Sequence, residues 1–457
     1  MCHPRTIRIG IWLALVVPAC AAGTSRAAEF KLAAASFLGG YGDADSVVGC
    51  RIQSDGTIVL AANLAPDALR GLRVAAAAGD TNNGGCVLRL SPDGQQVLSV
   101  NRLAPEARDL ALDGQDSLYV ALGKAGCARL TPDGLKVLWT QQLDESCDRI
   151  DAGSDGHCVV LAGKTIAIYD PAGKLLGKAP GRGFTNDVCL DSASKTVVFV
   201  GFRNARAHDG KRAEPVQISY VQALAYDGQK KWCGYDWSTD QASDRFINKP
   251  TNNMADTRGY RCSIGRDGKL YVAFESAGGN HIFRYMPNDI MAKAPLAGGD
   301  HYHQFHNSRA EHKTVFCKFE PDSGKYLQGQ QFCGRLANGR ANSVRMKEGE
   351  IVADEAGRVC IAGAAGVNIP LTLDPCPAEE PKGGAFALMM SPDFKTRSLC
   401  TRMQGKGGAH CADARTVKGK LMVAYAGSGA ETGMHTMNPL QKEPIGKDGF
   451  FVILQSD

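Results

Sequence analysis

Two phrases, LRLSPDGQQVLSVNRL from Leu88 and ARLTPDGLKVLWTQQL from Ala128, lie forty residues apart and say nearly the same thing. Self-similarity at a fixed spacing means that one supersecondary unit is stacked many times, because a single copy cannot bury its own apolar face. Each phrase is an apolar run, a Pro-Asp-Gly turn and a second apolar run, which is the pattern of a β-hairpin.

A second hairpin precedes each copy. It starts at Gly49 (GCRIQSDGTIVLAANL), Arg108, Cys147, Asn186, Tyr260, Met346 and His410 (HCADARTVKGKLMVAYAG), seven times in all. Six of these are followed by a full second hairpin, and the seventh is followed by GFFVILQSD, one strand ending at Asp457. A lone strand at the other end, FKLAAASFLGG from Phe30, can supply the missing partner. The pattern predicts an all-β fold, a seven-bladed β-propeller of four-stranded blades whose last blade is closed by the N-terminal strand. The 53 glycines against 20 prolines suit so many tight turns, and a 44% hydrophobic content suffices for a large core.

Residues 1–28 read as a signal peptide: Arg5 and Arg8 precede the apolar run Ile9–Ala22, and Ala19-Cys20-Ala21 is a small-residue cleavage site. The remainder, 29–457, reads as one domain, exported to a periplasm or beyond the cell, with Cys20 a possible lipoprotein anchor and no membrane span. Outside the cytoplasm, the fourteen cysteines from Cys50 to Cys411 suggest disulfides, with buried free thiols as the other reading. A net charge of +5, with both signs interspersed, argues against nucleic acid as a partner and leaves a small molecule, a glycan or a protein, bound by a monomer.

The stretch SFLGGYGDADSVVGCRIQSDGTIVLAANL, Ser36 to Leu64, resembles the secreted bacterial seven-bladed propeller repeats, whose copies open on FLGG-x-GD and continue to a DG turn and a β-branched run. Weaker copies cover the rest of the chain. The resemblance implies a propeller and an exported protein, and brings no catalytic residues with it.

In an up-and-down blade the first and third connections lie on one face and the second lies on the other. The tight Asp-Gly turns fall on the first face; the long insertions 65–85, 203–217, 276–313, 364–382 and 427–447 all fall on the second. Loops elaborated on a rigid scaffold are where binding concentrates. The inner strands begin at this same face, and they carry Arg108, Asp109, Asp148, Arg149, Asn186, Asp187, Arg258, Arg261, Arg340, Asn342, His410 and Asp413, a polar ring at a channel mouth. Such a ring reads either as hydrogen bonding between blades or as a ligand pocket.

The longest insertion holds GGDHYHQFHNSRAEH, in which Asp300, His301, His303 and His306 form a candidate site for a divalent metal, or else pack the loop onto the face through Tyr302 and Phe305. No Gly-x-Ser-x-Gly, phosphate loop or dinucleotide fingerprint occurs. The turn aspartates Asp55, Asp93, Asp133 and Asp267 are explained by turn conformation. The leading expectation is therefore a ligand- or protein-binding scaffold acting through its long-loop face. The alternative is a metal-dependent hydrolase or lyase at the channel mouth, using metal-bound water.

Overall fold

The structure, a computed structural model, describes residues 29–41, 45–82, 84–208, 213–237, 255–304, 312–375, 383–404, 407–430 and 434–457. The expected leader lies outside the described residues.

The chain is all-β and forms a propeller-like ring of small antiparallel sheets. Five four-stranded sheets stand alone, and each runs from an inner strand outwards. Their inner strands are Asp109–Leu112, Cys147–Ala152, Phe184–Asp191, Thr257–Ile264 and Val344–Ala353. A sixth, nine-stranded sheet contains two further meanders. One is Ser46–Ile52, Ile58–Asn63, Gly85–Leu90 and Val97–Ala104; the other is Gly408–Val417, Lys420–Ala430, Asp448–Ser456 and Phe30–Leu38. They join through a single residue pair, Ser46 with Ser428, and the short strand Ala77–Gly79 adds in parallel to Val97–Ala104.

Successive inner strands pack side by side around the axis, and Gly408–Val417 packs against Ser46–Ile52 to close the ring. The N-terminal strand does what its isolation in the sequence suggests: Phe30 pairs with Ser456 and Leu38 with Gly449 in antiparallel register. First and last segments are thereby joined by a ladder of backbone hydrogen bonds: the last strand is paired on both sides, and the N-terminal strand becomes the outer edge of the sheet, partly covered by bridges from Ala35 to Met437 and from Phe37 to Gln441.

The core is divided among the spaces between consecutive sheets. Val59, Ala61 and Val87 of one sheet meet Leu110, Leu118 and Val120 of the next. Aromatic side chains fill another such space, where Tyr235 packs edge to face with Phe274 and Phe283. Alternation along each strand explains the arrangement, since successive side chains enter opposite inter-sheet spaces and both are apolar.

The Pro-Asp-Gly and Ser-Asp-Gly turns sit where expected. Gly94 and Gly134 take φ of 70° and 74°, a left-handed conformation natural to glycine. Asp93 and Asp133 accept hydrogen bonds from the backbone N–H two residues on, which confirms their role in the turn.

Two expectations are corrected. Segment 203–217 is not an irregular insertion: Thr196–His208 and Ala213–Ala225 continue as one long ladder, pairing Arg203 with Ile218 and His208 with Ala213. The alternating run Ile218-Ser-Tyr-Val simply propagates the hairpin outwards from the ring. The expected disulfides are also not formed: the thirteen described cysteines are free, and all but Cys233 are buried. They serve as small apolar side chains on strands, and burial pushes the thiols of Cys86 and Cys400 up to about 12.

Candidate functional site

An inner strand is the edge of its sheet, so its axis-facing N–H groups have no strand to bond to and need another acceptor. Carboxylates from the preceding sheet supply it. Asp413 accepts from Ile52 N at 2.7 Å, Asp109 from Ile150 N at 3.0 Å, Asp151 from Leu190 N at 2.8 Å and Asp187 from Cys262 N at 2.9 Å. Asp109, Asp187 and Asp413, all expected at a ligand site, are thus stitches between sheets.

Buried carboxylates need compensating charge, and the channel provides arginines. Arg51 lies 3.5 Å from Glu350, and Arg266 lies 2.7 Å from Asp413. Burial still dominates for three of the acids. It raises Glu350 to about 7 against the pull of Arg51, and Asp151 to about 7 against its backbone hydrogen bonds. Asp187 is raised for the same reason.

The channel opens into a cavity at each end. The one on the turn face, about 340 Å³, is lined by Arg51, Asp151, Arg266, Asp413 and the turns around Gly114, Gly153 and Gly265. The one on the long-loop face is larger, about 640 Å³. Six of the expected residues line it: Arg108, Asp148, Arg149, Asn186, Arg261 and His410. They are joined by Phe184, Thr185, Phe202, Tyr260, Lys347 and Glu348, which the sequence did not single out.

Within this mouth the cations are unequally committed. Arg261 is fully engaged with backbone carbonyls, donating to Gly349 at 2.5 Å, Tyr260 at 2.7 Å and Lys347 at 2.8 Å. Burial, and then the nearby charge of Arg149, bring it down to about 10. Arg108 pairs at the rim with Glu106 at 2.7 Å. Arg149 is different: its guanidinium makes no hydrogen bond among the described residues, and Asp109 and Asp187 both stand 4.0 Å away. Five N–H donors there are left for something else. Burial, with Arg261 and Arg149 nearby, lowers His410, whose Nε2 lies 3.2 Å from Ser428 Oγ.

One wall is aromatic. Phe184 stacks on Phe202 with centroids 4.8 Å apart and 20° between planes, and Phe202 meets Tyr260 edge-on. Phe184 stays 50% exposed, unlike nearly every other large ring of the chain.

Three expected residues lie elsewhere. Arg258 is tied to Gln217, to Asp256 at 3.2 Å and to Glu275 at 3.4 Å. Arg340 and Asn342 belong to a small hairpin, Gly334–Arg335 with Ala341–Asn342, and the Asn342 amide donates to Val367 O at 3.1 Å. The inner strand starts only at Val344, and a register shift between Arg345 and Glu350 pushes Lys347 and Glu348 into the mouth in their place. The signal for Asp151 was present in CDRIDAG: period-two alternation puts it on the same side of the strand as Arg149.

The histidine loop does not assemble a metal site from its described members. His301–His303 is a 3₁₀ turn rather than a strand, so its two imidazoles do not share a face. Asp300 caps that turn through Tyr302 N and pairs with Arg397 at 2.8 Å. His303 donates from Nδ1 to Gln331 O at 2.7 Å and accepts at Nε2 from Arg397 at 2.9 Å, which occupies both ring nitrogens. The His301 ring lies on Tyr302, 4.1 Å between centroids. His306 and Phe305 lie outside the described residues. Among the described residues no group of three or more His, Cys, Asp or Glu side chains could hold a metal ion.

No protein-family model matches the chain, and a search of curated proteins finds no relative.

Proposed function

We propose that this protein is an exported binding scaffold, a seven-bladed propeller akin to the secreted bacterial repeats, whose ligand site is the long-loop mouth of its channel. Reading the nine-stranded sheet as two blades touching at Ser46 and Ser428 gives five plus two blades. This count equals the seven hairpin repeats of the sequence.

The observation that carries the functional reading is the Arg149 guanidinium, set beside a 640 Å³ cavity with its donors uncommitted. A cation so placed is stabilised by an incoming anion, which recovers the hydrogen bonds that partial burial removed. Four cationic side chains, Arg108, Arg149, Arg261 and Lys347, line this mouth with two carboxylates, Asp148 and Glu348. Binding rather than turnover is supported by the commitment of Asp109, Asp187 and Asp413 to backbone N–H groups, which leaves them unsuited to proton transfer.

Thermal denaturation with sulfate, phosphate and acetate, each matched to chloride at equal ionic strength, tests the reading. The wild type should be stabilised by at least one of them and Arg149→Ala by none. Equal shifts in both proteins would refute it. Export itself is checked by sequencing the N-terminus of protein secreted from a Gram-negative host, which should begin close to residue 29.

A further inference from the structure

We propose that the long-loop mouth recognises a carboxylated sugar, a uronate unit of a glycan. The inference rests on the reading of that mouth as a binding site and adds the chemistry of what enters it.

Three features converge there. Arg149 offers uncommitted donors in the fork geometry that fits a carboxylate. Phe184 presents a half-exposed ring to the same cavity, stacked on Phe202. A ring this exposed forgoes about half of the stabilisation that full burial would give it, which a flat apolar ligand face recovers. The C–H face of a pyranose is such a surface.

The third feature selects a sugar over an aromatic acid. Asp148 and Glu348 line the same cavity as the cations. Asp148 Oδ1 accepts from Ser146 Oγ at 3.1 Å, and Glu348 is 67% exposed with His410 at 3.8 Å. Both carboxylates keep lone pairs open to donors, and the hydroxyl groups of a sugar are donors that bring no charge of their own. A ring acid without hydroxyls would bring its charge towards these acids and satisfy neither. A neutral sugar would satisfy the acids and leave Arg149 as it is.

Calorimetric titration of the mature full-length chain tests this with three probes: methyl β-glucuronide, its neutral twin methyl β-glucoside, and benzoate. The glucuronide should bind, with the glucoside weaker by about tenfold or more, the worth of one charge-assisted hydrogen-bonded pair. Arg149→Ala should lose the preference for the glucuronide over the glucoside. Phe184→Ala, on an exposed side chain that the fold does not need, should weaken both sugars by about fivefold. Benzoate binding that depends on Arg149, without glucuronide binding, overturns the sugar and keeps the mouth as an anion site. Equal affinity for glucuronide and glucoside overturns the role of the carboxylate. Glucuronide binding unchanged in both variants, or no binding by any probe together with no anion-dependent stabilisation, overturns both the proposal and the reading beneath it.

Discussion

Asp151 shows how one residue connects stability to pH. Its carboxylate accepts from Leu190 N and lies among other acids, and burial raises it to about 7. A carboxyl raised above its unfolded value near 4 holds its proton more tightly in the folded chain. Stability therefore falls as pH rises from about 4 to about 7, by up to one proton's worth, about 1.4 kcal/mol per pH unit. Asp151→Asn keeps an acceptor for Leu190 N and removes the titration, so its unfolding free energy should lose that part of the slope, measured by urea denaturation across pH 4–8. Glu275 works in the opposite sense. It is fully buried beside His312 at 2.6 Å, Arg258 and Arg345, and the hydrogen bond to His312 with the charges of the two arginines, against its burial, holds it below the ordinary glutamate range. Its stabilisation is present at neutral pH and lost as pH falls through the acid range. Glu275→Gln should cost about 1.5–3 kcal/mol at pH 7, because the partly exposed Arg258 and Arg345 lose a charged hydrogen-bond partner, and the penalty should shrink in acid.

At the scale of elements, alternation and turn chemistry made most strands legible: the Asp-Gly turns, the missing last strand and the closing segment all follow from period-two patterning. The closing strand is therefore expected to carry global stability. Phe37, 1% exposed on the segment that pairs with the last strand, should cost about 3–5 kcal/mol when changed to Ala, measured by chemical denaturation. Leu175→Ala, on an exposed outer strand, should change stability by less than about 0.5 kcal/mol. Three things were not legible. A register shift before Glu350 replaced Arg340 and Asn342 by Lys347 and Glu348 at the mouth, and bulges leave no signature in hydrophobic periodicity. The insertion at 203–217 continued as paired strand because hydrogen-bond pairing can extend through polar residues. His-x-His met a local 3₁₀ turn capped by Asp300, and Arg397, 94 residues away from His303 in sequence, took its Nε2 while Gln331 O took its Nδ1.

For the molecule as a whole, the ring creates both the stability problem and the binding site. Its inner strands are edges, and satisfying them with Asp109, Asp151, Asp187 and Asp413 fills the channel with acids. The acids require arginines, and at the long-loop end the carboxylates nearest Arg149 are turned to backbone N–H groups, which leaves it at 4.0 Å from both. The composition of the mouth was readable from the inner-strand residues of the repeats, six of which line the cavity. The division between stitch and site was not, since it depends on which way each carboxylate turns relative to a neighbouring sheet. The most direct measurement is a crystal structure of the mature protein soaked with methyl β-glucuronide. The account predicts the carboxylate within hydrogen-bond distance of the Arg149 guanidinium and the sugar ring against Phe184; ligand bound only at the turn-face cavity or on the outer strands, with the long-loop mouth holding solvent, would contradict it.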